Sequence, residues 1–193
     1  SIVATDLDIV FYDEISEVKI LKEGSTTTSA AILYDILRKI SSDSELNFDL
    51  KSENILSLKS DNSDFNLLCL PTDNFPSFAD EFEGQEFKVD NVKFLKLLNK
   101  TRISISNDDT RHYLNGIFIH LTEAHGRNFL TGVATDSHRL SSSSLEIEKV
   151  DSFNSIILPR KTVYQLTSLL SESNDQLIFQ SNENKIKFSL GNT

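Results

Sequence analysis

The sequence contains no methionine and one cysteine, Cys69. A single cysteine allows no internal disulfide framework and no cysteine zinc cluster. It fits a reducing compartment, so the expected location is the cytoplasm. No apolar run approaches the length of a membrane span and no signal peptide opens the chain, so no membrane partner is expected. A start at Ser1-Ile2-Val3, which reads as mid-strand, and an end at Leu190-Gly191-Asn192-Thr193 lead us to expect a segment of a longer chain. Proline occurs three times. Pro71 and Pro76 exclude a regular helix and disfavour a central strand around them, whereas Pro159 suits the first turn of a helix. Positive charge is also scarce: 19 Lys and Arg stand against 29 Asp and Glu, a net charge of −10. That balance excludes a simple basic nucleic-acid binder unless the cations gather on particular elements. What remains is ordinary for a globular protein, 193 residues with 38% hydrophobic, enough for one large or two small domains with a sizeable core.

Along the chain, Ile2 to Phe11 reads as a strand, with room for a turn at its Asp-rich end, and Val18 to Leu21 as a second short strand. Ser29 can cap a helix from Ala30 to Ile40, whose Ile32, Leu33, Ile36, Leu37 and Ile40 share one face. Leu46–Leu50, Ile55–Lys59 and Phe65–Leu70 alternate like strands joined by polar turns. Pro71 to Phe82 is an extended connector pinned by Phe75, Phe78 and Phe82. Gly84 is the expected boundary between a first domain, 1–84, and a second, 85–193. Phe87–Val89 opens a new strand, and Asp90 caps a second helix from Asn91 to about Lys100. There Lys93, Lys96 and Lys100 share one face and Phe94, Leu95, Leu97 and Leu98 the other. Strands are expected at Tyr113–Leu121, Asn128–Thr135, Leu140–Glu148 and Ile156–Leu158. A third helix follows Pro159, and a hairpin of Gln176–Phe179 with Lys185–Leu190 closes the chain.

The two halves match at one fixed spacing of 130 residues (134 − 4). Val3-Ala4-Thr5-Asp6 repeats as Val133-Ala134-Thr135-Asp136. Leu33, Ile36 and Ile40 fall on Val163, Leu166 and Leu170. Glu53-Asn54 falls on Glu183-Asn184, with Leu56 and Leu58 on Ile186 and Phe188. A period this long is duplication of a whole domain, not a solenoid. Each copy is expected to be α+β, with helices on one face of antiparallel sheets.

The densest stretch is Ala134-Thr135-Asp136-Ser137-His138-Arg139-Leu140. With Arg111-His112-Tyr113-Leu114-Asn115-Gly116, Leu158-Pro159-Arg160-Lys161 and Leu70-Pro71-Thr72-Asp73-Asn74-Phe75-Pro76, it resembles the bacterial replicative sliding clamps, the beta subunits of DNA polymerase III. The resemblance covers the whole chain, four motifs in the right order. It implies the DNA clamp fold, with a homodimeric ring of repeated domains around double-stranded DNA. It further implies a processivity factor in DNA replication, a non-catalytic subunit of a DNA-directed DNA polymerase holoenzyme that needs no cofactor. Its implied partners are the DNA polymerase III catalytic subunit, the clamp loader, and other proteins with a clamp-binding motif such as repair polymerases, ligase and mismatch-repair proteins.

Carried over residue by residue, the resemblance implies a peptide-binding pocket at Leu114, Thr135, Ser137, His138, Arg139 and Leu140. It implies DNA-facing roles for Lys93, Lys96, Lys100, Arg111, His112, Tyr113, Arg160 and Lys161, and a dimer interface at Ile36, Ile40, Phe65 and Leu67. The first copy departs from the pattern, with Ala30 and Ala31 where the second has Arg160 and Lys161.

Two other readings stand beside this one. Asp136, Ser137 and His138 invite an α+β hydrolase or nucleotide-processing enzyme, although neighbours on one strand alternate in direction and no Gly-x-Ser-x-Gly elbow is present. A duplicated scaffold without a nucleic-acid role is the third, with the lysines of the second helix as an ordinary solvated face. No metal is expected, since His112, His120, His125 and His138 show no ligand spacing.

Overall fold

The computed structural model describes residues 1–77, 85–150, 153–173, 175–182 and 185–191. The chain divides into two compact units, residues 1–80 and 81–193. Phe78, Phe82, the expected boundary at Gly84 and the Glu183-Asn184 repeat match lie outside the described residues.

The first unit opens with a hairpin, β1 (Ile2–Thr5) and β2 (Val10–Asp13), in place of one long strand. A second sheet has the order β3-β6-β5-β4, from β3 (Thr27–Thr28), β4 (Asn47–Ser52), β5 (Ile55–Ser60) and β6 (Ser63–Leu70). Val18–Leu21 is not a strand; among the described residues no strand pairs with it, and apolar alternation alone does not make one. The helix α1 (Ala30–Leu37) is capped by Ser29, which accepts from the Ile32 N–H at 3.4 Å. It ends before Ile40, because Lys39 and Ile40 bond to carbonyls three residues back and tighten the last turn. Leu33, Ile36 and Leu37 pack on a core of Leu56, Leu58, Leu67 and Cys69.

The second unit holds two antiparallel sheets. One has the order β10-β9-β8-β11, from β8 (Gly116–Ala124), β9 (Arg127–Thr135), β10 (Leu140–Ile147) and β11 (Ile156–Pro159). The other is β13-β12-β7, from β7 (Gln85–Val89), β12 (Leu177–Ser181) and β13 (Ile186–Leu190). Helices α2 (Asn91–Thr101) and α3 (Arg160–Glu172) pack on each other and on the first of these sheets. Their apolar stripes, Phe94, Leu97 and Leu98 on α2 and Val163, Leu166 and Leu170 on α3, are buried. Asp90 accepts from the Lys93 N–H at 2.9 Å and caps α2 as expected. Gly132 lets α2 sit close on β9, since a Cβ there would meet Leu97 Cδ2 at 2.6 Å.

The repeat holds element by element. β1 pairs with β2 as Thr5 to Val10, and β9 with β10 as Thr135 to Leu140. β3, α1, β4 and β5 correspond to β11, α3, β12 and β13. A shift between Leu50 and Ser52 in β4 moves the pairing by one residue along that hairpin, so the correspondence is not free of slip there.

Candidate functional site

The dense stretch forms a strand, a tight turn and a second strand. β9 ends at Thr135, whose hydroxyl donates to the Arg139 carbonyl at 2.8 Å. Asp136 Oδ1 accepts the backbone N–H groups of His138 and Arg139, each at 3.0 Å, and its Oδ2 accepts from Arg139 Nε at 3.0 Å. The N–H groups of Arg139 and His138, joined by the Arg139 guanidinium, lower the Asp136 carboxyl to about 2. Ser137 has a φ of 79°, unusual for a residue with a side chain. Beyond the turn Leu140 is 64% exposed at the start of β10.

Leu114 belongs to a neighbouring 3-10 turn, His112–Leu114, and is half-buried. Tyr113 therefore lies in that turn, not in a strand; the N–H groups of Arg111 and Leu114 bond to Asp108 and Arg111, and β8 begins only at Gly116. Ser106 N–H donates to the Leu114 carbonyl at 3.0 Å, and the Ser104 and Ser141 hydroxyls lie 2.6 Å apart. Arg111 joins the two turns: its Nε donates to Asp108 Oδ2 at 2.8 Å and its Nη1 to Ser137 Oγ at 2.9 Å. The Thr110 hydroxyl and N–H, with Arg111, hold the Asp108 carboxyl below its ordinary value.

These bonds leave little room for the hydrolase reading. Asp136 and Ser137 are engaged by backbone N–H groups and arginines, so no nucleophile is paired with a base there among the described residues. No group of three His, Cys, Asp or Glu that could hold a metal occurs among them either.

Lys93, Lys96 and Lys100 lie exposed on the solvent face of α2, and Lys161 is exposed in the first turn of α3. His112 and Tyr113 are also exposed. Arg160 differs. Its guanidinium donates to Asn107 Oδ1 at 2.8 Å, Asp109 Oδ1 at 3.1 Å and the Ser106 carbonyl at 3.4 Å, and its side chain is 30% exposed. It is largely spent on tying α3 to the 106–109 segment. Leu67 is 5% exposed in the first unit's own core, with Ile36 and Phe65 packed against that core; the outward apolar residues of β6 are Leu68 and Leu70. Ile40 is half-buried.

Sequence reasoning missed a groove of about 380 Å³ between α2 and α3, lined by Leu95, Asn99, Arg102, Tyr164, Thr167 and Ser168 among others. Arg102 lies 5.6 Å from the Tyr164 ring centre and donates to Thr167 Oγ1 at 3.3 Å. The signal was present: Leu95, Asn99 and Arg102 stand at i, i+4 and i+7, as neighbours on one helix face do.

The description "DNA polymerase III beta subunit, central domain" matches residues 88–193, and the corresponding N-terminal domain matches residues 1–79. The chain is 32% identical over 190 residues to the beta sliding clamp of Caulobacter vibrioides, across 97% of this chain and 51% of that protein. Over 191 residues it is 32% identical to the beta sliding clamp of Escherichia coli K12, across 99% and 51%. Among solved structures, a DnaN sliding clamp from Bartonella birtlesii bound to griselimycin superposes with a TM-score of 0.92 at 38% identity, covering 98% of this chain and 51% of that one. The chain spans about half the length of these relatives.

Proposed function

The chain belongs to the DNA polymerase III beta subunit family, and on that premise we propose that it serves a replicative sliding clamp, a non-catalytic ring around duplex DNA. The observation that carries this reading is the placement of charge. In a chain of net charge −10, three lysines stand together on the exposed face of α2, with Lys161 at the start of α3. A few exposed cations facing phosphates give weak, salt-screened attraction without base contacts, which suits sliding. A closed ring then stays on DNA by topology, and a polymerase tethered to it meets the template at high effective concentration.

The partner site of this reading is the paired turn at Leu114 and Thr135–Leu140. Exposed Leu140 and half-buried Leu114 supply apolar surface, and the stems of His138 and Arg139 can pack while their tips stay wet. The occupant is a short peptide with a glutamine and an apolar Leu-Phe-like end. Such a peptide would be carried by the polymerase III catalytic subunit, by the clamp loader, and by repair polymerases, ligase and mismatch-repair proteins. Homodimerisation would engage the Ile36, Ile40 and Phe65 side of the first unit.

The test separates the two surfaces in the native gene product. Charge reversal at Lys93, Lys96 and Lys161 should shorten the products of primer extension while peptide affinity stays within twofold. Unchanged extension lengths would remove the DNA-facing role of this helix face.

A further inference from the structure

Ser137 and Leu7 occupy the same place in the two copies of one turn, with φ of 79° and 81°. That region favours glycine, because a Cβ crowds the backbone there. The turn itself does not require a hydroxyl at this place. In the first unit it closes around Leu7 with the same bonds: Thr5 to the Ile9 carbonyl at 2.8 Å, and Asp6 to the N–H groups of Asp8 and Ile9 at 3.1 and 3.0 Å. The positive φ belongs to the turn, since Leu7 shares it, so a serine hydroxyl at this place needs a reason outside the turn.

Its hydroxyl has one: it accepts from Arg111 Nη1 at 2.9 Å, while Arg111 Nε is held by Asp108 at 2.8 Å. Arg111 directly precedes the 3-10 turn that ends at Leu114, and Ser137 lies three residues before Leu140. The two leucines are the apolar walls of the docking site proposed above. From the buried side, Ser104 and Ser106 hold the same two segments through Ser141 and the Leu114 carbonyl. From the exposed side the Arg111–Ser137 bond spans them. A guanidinium suits this, since its planar fork binds two acceptors in fixed directions.

We propose that Ser137 is a positioning residue: its hydroxyl fixes Arg111 as a strut across the mouth of the docking turn, so that Arg111 serves peptide binding and not DNA contact. The proposal rests on the docking reading. Glycine at 137 relaxes the backbone and releases the strut. Asparagine tolerates a positive φ and keeps an acceptor oxygen for Arg111.

The test measures a fluorescent peptide bearing the glutamine and Leu-Phe end, binding to the native gene product and to S137G, S137N, R111Q, S137G/R111Q and L114A. S137G and R111Q should each weaken binding by about threefold or more, the size of one solvent-exposed charge-assisted bond. The double variant should be no weaker than R111Q, because the two residues act as one unit. S137N should return to within twofold of the unaltered protein, and S137G should melt no lower than it. Unaltered affinity in S137G, or losses that multiply in the double variant, overturns the strut. An R111Q variant that keeps its peptide affinity but loses affinity for duplex DNA overturns it too. If the unaltered protein binds no peptide, or L114A binds as well as it does, the docking reading itself fails and takes this one with it.

Discussion

Thr5 and Thr135 make the same bond in the two units: each hydroxyl donates to the carbonyl four residues ahead, Ile9 or Arg139, at 2.8 Å. Around them the backbone closes alike, with Asp6 N–H bonded to the Ile9 carbonyl at 3.4 Å and Asp136 N–H to the Arg139 carbonyl at 3.3 Å. The turn is a duplicated device. Its frame is the Thr-Asp pair, and its tip is free to vary, Leu7 in one copy and Ser137 in the other.

Acid should open the second copy of this turn in a defined window. The Asp136 carboxyl sits at about 2, below its ordinary value of 3.8, because it accepts the N–H groups of Arg139 and His138 and pairs with the Arg139 guanidinium. A lowered folded value means the contribution is complete above the ordinary value and is lost as pH falls through the folded one. The amide shifts of His138 and Arg139, followed by NMR from pH 5 downward, should titrate with a midpoint near 2. A midpoint near 3.8 would show that the carboxylate is not held.

Truncating the apolar walls should remove docking without unfolding. Leu140 is 64% exposed, so L140A should change stability by no more than about 0.5 kcal/mol. Burial of a leucine by a ligand is worth about 1.5 kcal/mol or more, so L140A and L114A should each weaken peptide binding about tenfold. Fluorescence anisotropy with far-UV circular dichroism reads both quantities, and unaltered affinity would count against the assignment.

Two glycines should be intolerant for steric reasons. A Cβ on Gly116 would collide with the Leu158 carbonyl, which is backbone and cannot move aside. On Gly132 it would meet the end of Leu97. G116A and G132A should each cost about 1–3 kcal/mol in urea unfolding, the usual penalty of overpacking, with G116A the larger. Gly24 has nothing within 4 Å, so G24A serves as the neutral control.

Much of this was legible in the chain. Asp90 followed by Phe94, Leu97 and Leu98 marks α2, and its lysines fall on the exposed face that the spacing requires. The fixed spacing of the Val-Ala-Thr-Asp motif marks the repeat. What could not be read depends on distant neighbours. Val18–Leu21 alternates like a strand but pairs with no strand among the described residues. The Arg160–Asp109 pair joins residues far apart in the chain, so its effect on a presumed DNA contact is invisible locally. Leu67 is a different lesson. Strand parity puts Phe65, Leu67 and Cys69 on the inner side and Leu68 and Leu70 outside for most of β6, so the alternation itself marks Leu67 as a core position.

Salt should report on the α2 lysines one at a time. Each phosphate contact steepens the fall of DNA affinity with salt by about one unit of logarithmic slope. K93E, K96E and K100E should each flatten that slope by about one or less in the native gene product, uniformly across DNA sequences. A change confined to one sequence would point to base readout instead.

Retention on closed DNA tests the central claim most directly. Loaded onto a nicked circular plasmid, the native gene product should stay bound through gel filtration in moderate salt and leave when one restriction cut makes the DNA linear. Equal retention on circular and linear DNA, or none on either, would contradict an encircling protein.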